Sequence, residues 1–240
     1  MSKLKAPKVP SLQHLARTWD SDPDKVRKTL VALAKNSPTF SYQLMYELVQ
    51  DLVHAKIPYE QIEFAIKSRV GRESVRNNFL EILPLVREGM EGIRPSFVHR
   101  VVPRHYPLGR GLYVPFSPPF VYGANGVLHM PWFSFWRSNP LSGVRLSLFA
   151  TVIDEIVEQD PDLEYAEVTI LDFSASGAAS PRELKKIKLE EIERVDRASL
   201  VEMLRIYVSG YEAACRDLEA NDFSSLETES ENDTQFLLFD

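Results

Sequence analysis

The chain has 240 residues, 44% of them hydrophobic and 26% charged, a globular composition with enough apolar material for one large core or two small ones. Its single cysteine, Cys215, excludes an internal disulfide framework, and no window approaches the ~18 consecutive apolar residues of a membrane span. The net charge of −6 hides a division: residues 1–110 carry 18 bases and 11 acids, residues 111–220 carry 10 and 17, and residues 221–240 carry six acids and no base.

Lys3, Lys5 and Lys8 are not followed by the apolar run of a signal peptide, so the expected compartment is cytoplasmic. From there to residue 92 the pattern is helical. Ser21-Asp22-Pro23 supplies a cap and a helix-compatible proline ahead of an apolar face at Val26, Leu30, Leu33 and Ala34. Tyr42, Met45, Leu48, Val49, Leu52 and Val53 form a second face, interrupted at Ile57-Pro58. Ile62, Phe64, Ala65 and Ile66 follow, then Gly71, then Val75, Phe79, Ile82, Leu83 and Val86.

Between Pro95 and Trp136 prolines recur and aromatic and β-branched residues dominate, which predicts strands. The clearest local signal is Asn125-Gly126 between two strand-like runs, a tight hairpin. Leu141, Val144, Leu148, Val152 and Ile156 predict a helix closed by Asp160-Pro161-Asp162. A strand over Ala166 to Phe173, a small-residue loop, and a second strand at 184–189 follow. The last helix carries Leu200, Leu204, Tyr207, Tyr211, Ala214 and Leu218.

The expected class is α+β, with an N-terminal helical region packed on a small mixed sheet flanked by helices. The expected domains are a helical region at 1–92, an α/β core at 93–220, and a disordered acidic tail at 221–240 that ends in an apolar peptide. The tail's Ser, Thr, Asn and acid content cannot bury enough apolar area to offset ordering.

Motifs for catalysis are missing. There is no phosphate-binding Gly-rich loop, no G-x-S-x-G, no H-E-x-x-H and no Cys pair, and His14, His54, His99, His105 and His129 share no metal-ligand spacing. Arg94 and His99 have the Arg-x4-His spacing of one family of helical ribonucleases, but Pro95 opens an extended stretch where that motif requires a helix. Asp154-Glu155 and Glu190-Glu191 read either as paired carboxylates or as solvated helix faces. No cofactor or metal is expected.

From Gly92 to Ile153 the chain has no Asp or Glu, yet it holds Arg94, Arg100, Arg104, Arg110, Arg137 and Arg145 among Tyr106, Tyr113, Tyr122, Trp132 and Trp136. Arginine's planar fork suits phosphate and aromatic rings suit exposed bases, so these six arginines are the candidate nucleic-acid contacts. The competing reading makes the aromatics core and pairs the arginines with the acidic segments at 154–167 and 190–196. Residues 59–79 resemble a helix-turn-helix with Arg72, Arg76 and Asn77 on its second helix, against the alternative of a plain helical hairpin.

The order of elements over 108–220 is similar to the core of PD-(D/E)xK nucleases, a family that holds Mg²⁺ on carboxylates of its central strands. The acid-free stretch departs from that pattern, so the resemblance implies a scaffold that keeps the fold without the chemistry. Gln235-Phe236-Leu237-Leu238-Phe239 resembles the peptide by which polymerases and repair proteins dock on the bacterial sliding clamp. Gln235, Leu238 and Phe239 stand at its defining positions.

The resemblances together imply a non-catalytic accessory factor of DNA replication or repair, with the sliding clamp and DNA as partners and no membrane. Two alternatives stand beside it. One is an interaction or scaffold protein, regulatory or defensive, with the tail folded onto the body; the other is an enzyme whose site is assembled from scattered residues.

Overall fold

A computed structural model of the protein describes residues 9–36, 41–139, 141–177 and 179–235, with side chains described as far as Ala220. The helices are α1 (Leu12–Thr18), α2 (Pro23–Lys35), α3 (Gln43–Val53), α4 (Tyr59–Arg69), α5 (Glu73–Met90), α6 (Val144–Glu158) and α7 (Arg197–Gln235). The strands are β1 (Phe97–His99), β2 (Arg104–Gly109), β3 (Leu112–Phe116), β4 (Val121–Ala124), β5 (Val127–Ser134), β6 (Ala166–Asp172) and β7 (Lys185–Lys188). The protein is α+β. Among the described residues no helix is long and apolar enough to cross a membrane.

Two compact units divide the chain. The first takes residues 1–39, 107–115 and 196–240. Asp22 caps α2 by accepting the Asp24 N–H at 2.9 Å, and Pro23 stands at the first helical position, where its missing N–H is not needed. Helix α2 packs on α7, burying Val26 and Leu30 of the anticipated apolar face while Leu33 stays exposed, and Trp19 Nε1 donates to the Met203 carbonyl at 3.0 Å. The α7 backbone continues as helix through the acidic stretch to Gln235. Phe236, Leu237, Leu238 and Phe239 lie outside the described residues.

The second unit takes residues 40–106 and 116–195, so α3, α4 and α5 belong with the five-stranded sheet. Strand order is β1-β4-β5-β6-β7. Asn125 and Gly126, with φ of 53° and 79°, turn β4 into β5; both angles lie in the left-handed region that Asn and Gly enter at least cost. Strands β5 and β6 are parallel, joined by α6, and their register runs from Leu128 opposite Ala166 to Ser134 opposite Asp172. The other pairings in this sheet are antiparallel.

Strand β5 is central, and its last five residues are buried on both faces. Phe133, with Phe135, Phe173 and Phe120, packs on the α3–α5 side, where Tyr42, Tyr46 and Phe79 join the same cluster. On the opposite face Trp132 meets Phe149 of α6 edge-on at 5.2 Å and stacks on Phe116 at 5.7 Å. Each such ring contributes about 1.5–3 kcal/mol of burial. Most of the candidate base-stacking aromatics are core: Tyr106, Tyr122 and Trp132 are buried, whereas Tyr113 is exposed.

Candidate nucleic-acid interface

Three of the six candidate arginines are engaged by carboxylates of distant segments. Arg104 holds Asp160 at 2.6 Å and Asp162 at 3.2 Å. That pairing raises the guanidinium pKa above its usual value and holds the Asp160 carboxyl below the usual aspartate range. Arg110, in the turn between β2 and β3, meets Glu212 at 2.7 Å. Arg137 meets Glu81 at 2.8 Å and donates to the Ser180 carbonyl at 3.0 Å. Arg145 is half-buried in the first turn of α6.

Arg100 and Arg94 are placed differently. Arg100 donates to the side-chain oxygen of Gln50 at 3.2 Å, and Gln50 in turn donates to the Pro119 carbonyl. Arg94 stands at the mouth of an open cavity of about 420 Å³, lined by the last turns of α3 and α5 and by the segment leading to β1. The floor is Leu52, Val53, Met90, Ile93 and Pro95; the rim carries Lys56, Arg87 and Arg94, with Glu91 as the lining acid. Arg87 lies over the Tyr59 ring at 4.9 Å, which restricts its orientation. Lys56 has φ of 51°, a left-handed backbone uncommon outside Gly and Asn.

The acid-free stretch points to Arg94 but not to Lys56, which follows the end of α3, or to Arg87, which lies within α5, because the helical pattern displays only apolar faces. The available signal is a lysine directly before Ile57-Pro58, where a helix has to stop.

The carboxyl ends of β5 and β6, a common location for α/β sites, hold a second polar group. Arg182 is buried and donates to the Phe135 and Phe173 carbonyls at 3.1 and 2.9 Å, to Asn78 Oδ1, and to Glu81 at 3.4 Å. It ties the ends of both strands to α5. Asp172 is 2% exposed and accepts the Ser174 hydroxyl at 2.8 Å on one oxygen. Its other oxygen, the Ser134 hydroxyl and Trp132 Nε1 are buried with no hydrogen-bond partner among the described residues.

Burial pushes the Asp172 carboxyl above the usual aspartate range, tempered by the Ser174 hydroxyl and N–H and by the Lys185 charge. A raised folded-state pKa means that Asp172 detracts from stability progressively as pH rises above the ordinary aspartate value. Asp172→Asn removes that charge, so it is expected to stabilise by about 1–2 kcal/mol at neutral pH. The gain should grow with pH from the ordinary aspartate value upward and vanish in acid. Denaturant titrations of both proteins across that range check it; a destabilised variant at neutral pH would show the carboxylate to be satisfied.

The remaining candidates for chemistry are engaged elsewhere. Asp154 pairs with Arg194 at 2.7 Å, Glu155 accepts the Tyr106 hydroxyl, and Glu190 pairs with Lys188 at 3.2 Å. Arg94 precedes β1 and His99 ends it, on extended backbone. The α4–α5 pair has Arg76 donating to the Val70 carbonyl and Asn77 exposed, while Val75, Phe79 and Ile82 of α5 enter the core. Among the described residues no group of three or more His, Cys, Asp or Glu could hold a metal ion.

Fold and site define an α+β protein with a helix-backed mixed sheet and a cation-rimmed surface cavity. No protein-family model matches the chain, and no curated protein matches it.

Proposed function

We propose that the protein is a non-catalytic accessory factor of DNA replication or repair that meets DNA phosphates through Lys56, Arg87, Arg94 and Arg100. The peptide Gln235 to Phe239 recruits it to the sliding clamp. The carrying observation is the rim of the cavity, where three cations face one acid and neither Lys56 nor Arg94 has an ion pair among the described residues. Arg100 bonds Gln50 on the same last turn of α3 that supplies Leu52 and Val53, outside the cavity lining itself. The scaffold alternative draws on the pairing of Arg104, Arg110 and Arg137, which leaves those guanidiniums less able to take phosphate.

Fluorescence anisotropy with the full chain tests the DNA contact. Changing Lys56, Arg87 and Arg94 together to Gln is expected to weaken binding about equally for all sequences and to lower the salt slope by up to ~3, one per lost phosphate contact. Arg104→Gln with Arg110→Gln should leave both unchanged. Replacing Gln235, Leu238 and Phe239 by Ala should abolish retention on immobilised clamp and leave DNA affinity intact. A parent chain that binds no DNA at low salt, or is not retained on clamp, returns the protein to the scaffold reading.

A further inference from the structure

We infer that the cavity between the last turns of α3 and α5 takes one unstacked nucleotide of single-stranded DNA, its base on the apolar floor and its phosphate on Lys56 and Arg94. The inference rests on the proposed DNA contact and specifies its ligand.

Charge alone makes a weak phosphate site here. Lys56, Arg87 and Arg94 supply three positive charges against Glu91, and the carbonyl ends of α3 and α5 each add roughly half a negative charge. The balance is about +1. A ligand that uses this cavity well must therefore also bury apolar surface, and the floor of Leu52, Val53, Met90, Ile93 and Pro95 is built from aliphatic carbon. A volume of about 420 Å³ falls within the ~300–1,000 Å³ of small-ligand sites. Duplex DNA keeps its base faces stacked inside and presents mainly phosphates to such a cavity. An unstacked base presents a flat apolar face beside its own phosphate, so one nucleotide can bury that face on the aliphatic floor while its phosphate meets Lys56 and Arg94.

Lys56 adds an independent observation. Its φ of 51° is a conformation that glycine adopts without strain and that a lysine adopts at a cost. A helix-terminating position of this kind favours glycine. The chain keeps a side chain there, at the rim, where its ammonium can reach a ligand in the cavity.

The test uses the full chain with three probes: a ten-residue oligothymidylate, an abasic oligomer with the same number of phosphates, and a blunt duplex. The oligothymidylate is expected to bind at least tenfold tighter than either of the others. Lys56→Gly is expected to keep or raise the melting temperature while reducing oligothymidylate affinity severalfold, which separates loss of a ligand contact from loss of fold. Equal binding of the oligothymidylate and abasic probes would overturn the nucleotide inference and leave a phosphate-only contact standing. An unchanged oligothymidylate affinity in Lys56→Gly would place the base elsewhere and also overturn it. Failure of all three probes to bind would remove the DNA reading itself.

Discussion

Arg182→Met is expected to lower stability by about 3–5 kcal/mol. The guanidinium is buried and donates at once to two carbonyls, an amide oxygen and a carboxylate. Methionine fills similar volume but leaves the Phe135 and Phe173 carbonyls without a donor where β5 and β6 end, and a buried unsatisfied carbonyl costs about 1–3 kcal/mol. Glu81 keeps Arg137, so part of the charge remains compensated. Arg182→Lys should recover little, because a single ammonium cannot span the fork that reaches both strand ends and Asn78. Urea denaturation with an unchanged slope measures the loss. A change under about 1 kcal/mol would show that water replaces the guanidinium at those carbonyls.

Gly210→Ala is expected to cost about 1–3 kcal/mol by overpacking, although alanine is the better helix former by about 1 kcal/mol. A Cβ at Gly210 would stand 2.7 Å from the Pro23 carbonyl oxygen and 2.7 Å from Val26 Cβ. One of those neighbours is backbone and cannot rotate away, so α2 and α7 would have to separate. Val26→Ala in the same chain should restore only a fraction, because it removes Val26 Cγ1 but leaves Val26 Cβ and the Pro23 oxygen in place. Denaturant midpoints of the two single variants and the double variant test this. A Gly210→Ala protein more stable than its parent would mean that the helices separate at no cost.

Features that depend on a few neighbouring residues are legible in the sequence. Asp22-Pro23 opens α2 because a short acceptor and a preset φ act within one turn. Asn125-Gly126 makes its hairpin because two left-handed residues suffice to reverse the chain. The helix, strand and strand after residue 140 follow from apolar periodicity and fall close to their expected bounds, as α6, β6 and β7, and so does the start of the last helix, whereas α7 runs on to Gln235, past the expected end near residue 220. Local chemistry and period determine such elements, and both are written in consecutive residues.

The electrostatics of the middle region depend on the tertiary structure. The stretch from Gly92 to Ile153 lacks acids along the chain, but Arg104 and Arg137 each find a carboxylate 56 residues away and Arg110 finds one 102 residues away. Potential is a property of distance in space, and composition along a segment says nothing about what folds against it. The same limit hides the placement of α3, α4 and α5. Their helical faces are readable, but an amphipathic stripe does not name its partner, and these three pack on the sheet while α1 and α2 join α7 in the other unit.

The sequence by itself determined the α+β class, the tight hairpin and the absence of familiar catalytic motifs, because each depends on short-range pattern. Only the tertiary structure decided that Lys56 and Arg87 join Arg94 around one cavity, that Arg182 is buried between two strand ends, and that Asp172 lies where its charge is poorly solvated. Each of those depends on residues that meet only when helices and strands pack, and packing is settled by the sum of many side-chain contacts rather than by any one segment.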